Sequence, residues 1–163
     1  MKFQVGDTVM HWRHGLGQII DLQEPNVMGK IQLCYVVQIR DLSIWVPADE
    51  LLEDRLRVPV SAAAFKKLFG ILSGPAESLP EERHERKSRL STRLADGKAA
   101  SRCQVIRDLT TRSDAKSLND DDRSTLQRAR SMLLAEWGYS LQIPPAQAED
   151  ELSRLLKQPP SEG

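Results

Sequence analysis

The sequence predicts an α+β protein: a small antiparallel Tudor-like or SH3-like β-barrel followed by a compact all-helical domain. Two observations carry this. Up to about residue 55 the apolar side chains recur with period two between tight turns, and from residue 61 they recur at spacings of three and four. A length of 163 residues suits one ordinary domain or two small ones. The expected division is a barrel over residues 1–55, a helical domain over 60–157 and a disordered tail over 158–163.

Taken in order, Val5 and Val9 flank a Gly6-Asp7 turn. Leu16, Gln18, Ile20 and Leu22 line one side of the next strand, with Ile19 on the other. Asn26 to Gly29 forms a connection. Ile31, Leu33, Tyr35, Val37 and Ile39 then alternate with Gln32, Cys34, Val36, Gln38 and Arg40, a central strand with one strongly apolar face. Asp41-Leu42-Ser43 connects it to "IWVP" (44–47), a short strand stopped by Pro47. Four or five short strands in so few residues imply a closed or half-closed barrel.

The helical half opens at a Ser61 cap, with Ala64, Phe65, Leu68 and Leu72 along one side. A Gly74-Pro75 break precedes a helix of roughly 80–95, ended by Gly97. Ala99, Cys103, Ile106 and Leu109 form the next apolar stripe. Asn119 caps a long helix whose first turn, Asp120-Asp121-Asp122, complements the helix dipole and whose stripe is Leu126, Ala129, Leu133 and Trp137. Pro144-Pro145 opens the last helix, with Ala148, Leu152, Leu155 and Leu156 facing in.

Charge balance excludes little, because 23 basic and 23 acidic side chains cancel. Their distribution says more. Residues 83–107 hold Arg83, Arg86, Lys87, Arg89, Arg93, Lys98, Arg102 and Arg107 against Glu85 and Asp96, which suggests a local polyanion-binding face. Met1-Lys2-Phe3 leads straight into strand pattern, and no apolar run approaches a membrane span, so a cytoplasmic protein without membrane contact is expected. Cys34 and Cys103 lack the paired spacing of a zinc or redox motif and read as reduced, buried thiols.

The stretch "HWRHGLG" (11–17) sets His11 and His14 three apart, which admits a metal or acid–base site or simply a bend. In a strand these positions have opposite parity, and no third ligand sits at a suitable spacing. Gly15 and Gly17 supply the freedom of a sharp turn, so both histidines are expected to be turn and surface residues. There is no Gly-rich phosphate loop, nucleophile elbow or framed carboxylate pair. Consecutive Asp120, Asp121 and Asp122 point in different directions on a helix. No catalytic set, metal site or cofactor is therefore expected, and an enzyme ranks behind a binding protein.

Four stretches, "FQVGDTVMHWRHGLGQI", "LSIWVPADEL" (42–51), "LADG" (94–97) and "VIRDL" (105–109), carry a resemblance to the CarD/CdnL family of bacterial transcription regulators, in the family's order from residue 2 to about 157. The opening motif is shared with Tudor-like barrels of transcription–repair coupling factors; its union with this helical half is more specific. The resemblance implies that the barrel binds the β-subunit of RNA polymerase by strand addition through Ile44, Trp45 and Val46, ending at Pro47. A short strand ending in Pro47 suits a sheet edge, and Trp45, opposite in parity to Ile44 and Val46, either projects at the partner or covers the barrel.

The resemblance also implies that the helical half lies on promoter DNA beside the melted segment and supports the open complex. In the family a Trp near the start of the basic helix wedges into the minor groove. Counting back from "LADG" puts Arg83 at that position, with His84 next to it, and no Trp stands between Trp45 and Trp137. A guanidinium enters a narrow groove but wedges less well than an indole. Arg86, Arg89 and Arg93 recur on one stripe, and with Arg83, His84 and Lys87 they make the expected DNA-binding set, touching mostly backbone and minor groove. The leading expectation is thus a monomeric, nucleoid-associated transcription factor. The alternative is a protein–protein adaptor on RNA polymerase or a repair factor, without direct DNA contact.

Overall fold

The computed structural model describes residues 2–157; the expected tail over 158–163 lies outside them. The architecture is α+β, and the chain forms two compact units that divide between Pro59 and Val60.

The first unit holds β1 (Thr8–His11), β2 (Gly15–Gln23), β3 (Asn26–Val27), β4 (Lys30–Ile31), β5 (Cys34–Ile39), β6 (Leu42–Pro47), α1 (Leu52–Arg55) and β7 (Leu56–Arg57). Five strands form an antiparallel, curled half-barrel in the order β6-β5-β2-β1-β7. Its inner face buries Phe3, Val9, Ile19, Tyr35, Val37, Ile39 and Val46, with Leu52 and Leu56 packed against them. Gly17 belongs to this face: a Cβ there would stand 2.5 Å from Ile39 Cγ1 and 2.7 Å from the Gln38 carbonyl, so only glycine lets β2 cross the neighbouring strand. Gly15 takes φ +95°, as the bend after β1 requires.

Four strand-level expectations change. The register of β2 against β5 shifts between Ile19 and Asp21. This bulge inserts one residue, so Ile19 and Leu22 both turn toward the core while Ile20 is exposed, against the strict alternation read from the sequence. The central strand begins at Cys34, not Ile31. Tyr35, Val37 and Ile39 face inward as expected, but Cys34 and Val36 on the opposite face are buried too, and Ile31 is exposed. The connection over 26–29 is itself a ribbon. Met28 and Gly29 take left-handed φ of 52° and 83°, and the Gln32 N–H donates to the Pro25 carbonyl at 3.2 Å in the register of Gln23 with Cys34. Strands β2 to β5 therefore trace one long hairpin. The last tight turn is Arg40-Asp41; Leu42 and Ser43 already belong to β6, opposite Ile39 and Gln38.

The second unit holds α2 (Ala62–Lys67), α3 (Phe69–Leu72), α4 (Arg83–Leu94), α5 (Ala99–Ala115), α6 (Asp120–Leu141) and α7 (Pro145–Lys157). Ser61 Oγ accepts from the Ala64 N–H at 3.2 Å, and Asn119 Oδ1 from the Asp122 N–H at 2.8 Å, which fixes both helix starts. The first helical run breaks at Leu68 into two short pieces, and Ala64 faces solvent instead of joining Phe65 and Leu72. Phe65, Leu72, Ala99, Cys103, Ile106, Ala129, Leu133, Trp137, Ala148 and Leu152 make the main core. Trp137 packs on Phe65 and Phe69 at ring centroid distances of 5.2 Å and 5.0 Å. Leu79, Leu90, Val105 and Leu109 form a smaller cluster beneath α4. Both cysteines are buried free thiols. Among the described residues no helix is long and apolar enough to cross a membrane.

Candidate interaction surfaces

The bend at Trp12 to His14 brings the two imidazoles together instead of sending them to opposite faces: they stack with centroids 5.0 Å apart. His11 is buried, not a surface residue, whereas His14 is exposed. His11 Nδ1 accepts the N–H of Arg13 at 3.2 Å and of His14 at 3.1 Å, so this ring builds the turn. Burial, followed by the nearby His14, Arg13 and Arg55, pushes its pKa down to about 4. A ring nitrogen engaged by two backbone donors is not open to a metal. Among the described residues no three His, Cys, Asp or Glu side chains are grouped to hold one.

The stretch "IWVP" lies in β6, at one edge of the sheet. Val46 is buried in the barrel core and Ile44 packs against it, while Trp45 projects with half its surface exposed. Register fixes which backbone groups are free. The Ala48 N–H donates to the Leu33 carbonyl, and the same ladder pairs Val46 with Tyr35, Ile44 with Val37 and Leu42 with Ile39. In an antiparallel pair the hydrogen-bonded positions alternate. The N–H and C=O groups of Val46, Ile44 and Leu42 therefore turn to β5, and those of Ser43 and Trp45, with the Pro47 carbonyl, turn outward. The edge donors are thus Ser43 and Trp45.

On α4 the expected DNA-binding set divides. Arg83, the first residue of the helix, is exposed, as are His84, Lys87 and Arg89. Lys87 lies 3.7 Å from Asp121 across solvent. Arg89 has no ion-pair or hydrogen-bond partner among the described residues. Arg86 is not on the solvent face at all. It is buried, its Nε donating to Asp122 Oδ2 at 2.9 Å and its Nη1 to the Pro80 and Glu81 carbonyls at 3.1 Å and 3.0 Å. Arg93 also turns inward: Nη1 meets Asp108 Oδ2 at 2.9 Å and Nη2 meets Glu77 Oε2 at 3.3 Å. Asp108 Oδ1 further accepts from Arg107 Nε and the Glu77 N–H, each at 2.9 Å. The spacing is the cause. Positions 86, 90, 93 and 94 lie on one stripe, and Leu90 anchors that stripe inside. A guanidinium there reaches the carboxylates of α5 and α6 before it reaches solvent.

Sequence reasoning missed a cationic run on α6. From Arg123 to Ala135 this helix has no acidic residue, and Arg123, Ser124, Gln127 and Arg128 are exposed. Arg123 pairs with Asp120, while Arg128 has no partner among the described residues. The local signal was present in "RSTLQRAR", but counting cations in a window without regard to helix face favours residues 83–107, where Arg86 and Arg102 are buried.

Comparison with known proteins covers both units. Residues 3–64 match the model of the CarD-like/TRCF RID domain, and residues 67–153 match that of the CarD C-terminal domain. The chain is also similar to a Bacillus subtilis (strain 168) protein named "Putative transcription factor YdeB", 25% identical over 137 residues that cover 82% of this chain and 89% of the relative.

Proposed function

The chain belongs to the CarD family of transcription regulators, which act through RNA polymerase, and from that premise we propose that β6 adds to a sheet of the polymerase β-subunit while the helical unit contacts promoter DNA and prolongs the open complex. The observation that carries the first half is the edge itself. Ser43 and Trp45 offer outward backbone groups, Val46 and Ile44 hold the strand to the barrel, and the Trp45 indole stands free beside them. The protein works as a non-enzymatic factor in the cytoplasm, at the nucleoid, one copy per polymerase.

DNA contact draws support from the exposed Arg83, His84, Lys87 and Arg89 of α4 and Arg128 of α6. These suit phosphates, which position a protein without reading sequence. Arg83 stands where the family keeps its wedge, and a guanidinium there favours a narrow minor groove over an opened base step. The decisive experiment measures open-complex lifetime with purified polymerase and one promoter. Addition of the wild type lengthens it, Trp45→Ala removes the effect, and Arg83→Trp lengthens it further. An unchanged lifetime with the wild type bound would overturn the reading.

A specific observation also favours the adaptor reading. Two of the three arginines on the expected stripe of α4, Arg86 and Arg93, are engaged internally, and Glu81, Glu82 and Glu85 are exposed around its start. An adaptor would bind polymerase normally and show no salt-dependent DNA affinity.

A further inference from the structure

Strand β6 lacks the usual protections of an exposed edge. Leu42-Ser43-Ile44-Trp45-Val46-Pro47 carries no charge, and its register against β5 runs unbroken, without a bulge. Only the terminal proline blunts it. The outward groups alternate as donor and acceptor at Ser43 and again at Trp45, a pattern that is its own complement when a second identical strand runs antiparallel to it. We propose that, free of polymerase, this chain pairs with a second copy of itself through β6.

The pattern selects one register. With Ser43 opposite Trp45 of the second copy, the Ser43 N–H meets the Trp45 carbonyl and the Trp45 N–H meets the Ser43 carbonyl, and the two-fold axis repeats both. The missing N–H of Pro47 then falls beyond this central set. A register centred on Trp45 would instead place Pro47 opposite Ser43, leaving a Ser43 carbonyl without a donor. The selected register also sets the indole against the small Ser43 side chain of the second copy. On the inner face, Ile44 meets Ile44 and the half-exposed Leu42 meets Val46. Such a contact is short, so the pairing is weak and shows only at high protein concentration. Given the proposed role of β6, on which this step rests, the second copy and the polymerase strand compete for the same backbone groups.

Sedimentation equilibrium of the full chain from about 5 to about 500 μM tests the pairing. The wild type passes from monomer toward dimer, and Ser43→Pro, which removes an outward backbone donor and the exposed Ser43 Oγ bond to Gln38 of β5 but no backbone hydrogen bond to β5, stays monomeric with an unchanged circular dichroism spectrum. Hydrogen exchange on the wild type needs no variant. The Ser43 and Trp45 amides gain protection with concentration, while those of Ile44 and Val46 stay constant. A wild type monomeric throughout, or a dimer whose Ser43 and Trp45 amides exchange as freely as in the monomer, overturns the proposal. Polymerase retention by Ser43→Pro separates the two ideas. If dimerisation is lost and retention is intact, the pairing stands and the polymerase reading of β6 falls. If retention is lost but the wild type never dimerises, the pairing alone falls.

Discussion

Two regions with equally suggestive sequences have opposite fates. On β6, strand parity carries over directly: Ile44 and Val46 turn in and Trp45 turns out. On α4, the stripe of Arg86, Arg89 and Arg93 breaks apart, because two of its three members bind carboxylates of neighbouring helices. A strand has two faces, so an apolar side chain on one assigns the other. A helix has a graded circumference, and a long guanidinium at the flank of the apolar stripe goes wherever a carboxylate awaits it. The lesson is that arginine on a helix reports a binding surface only after its internal partners have been excluded.

The largest expected effect tests that exclusion. Arg86→Ala would leave Asp122 buried without its charge partner and should destabilise the helical unit by about 3–5 kcal/mol, measured by urea unfolding. Arg89→Ala, at an exposed site, should stay within about 0.5 kcal/mol of wild type. Equal losses from the two substitutions would erase the distinction between the inward and outward arginines.

The next effect concerns the bend after β1. His11 has a folded pKa of about 4, below its ordinary 6.5, so below pH 6.5 the unfolded chain binds more protons than the folded one. Stability from this group is fully present above pH 6.5 and is lost as pH falls toward 4, up to about 3 kcal/mol. A series of urea midpoints between pH 7 and 4 should show this loss, and His11→Asn should flatten it. A flat wild-type profile would mean that the ring does not hold the turn as a neutral acceptor.

Smaller effects distinguish the two sides of β6. Trp45→Ala should weaken polymerase binding by about 1–3 kcal/mol if the indole is a central anchor, with unfolding unchanged. Val46→Ala should do the reverse, lowering stability through a core cavity. A pull-down in which the folded Trp45→Ala protein is fully retained takes the indole out of the interface. On the helical side, Arg89→Ala with Arg128→Ala should flatten the log K against log salt slope for DNA by about 2, at roughly 0.9 per phosphate contact. An unchanged slope would favour the adaptor.

Much of the fold was legible because local rules and tertiary demands agree. Asn119 and Ser61 cap their helices because their side chains satisfy orphan backbone donors whatever lies around them. The stripes of Cys103 with Ile106 and of Leu133 with Trp137 became core because their periodicity matches the helix. The β2 bulge was illegible for the opposite reason. Its extra residue is set by where β5 lies, and no residue of β2 announces the shift from Ile19 to Leu22.

By itself, then, the sequence determined the α+β class, the change of period near residue 60, the alternation along β6 and the lineage that its motifs carry. Only the tertiary structure decided which backbone donors of β6 face outward, that His11 is an acceptor inside a turn, and which arginines remain on the surface. The physical reason is range. Periodicity and capping act over a few neighbours, whereas ladder phase and ion pairing depend on the position of groups such as Leu33, Asp108 and Asp122, far away along the chain.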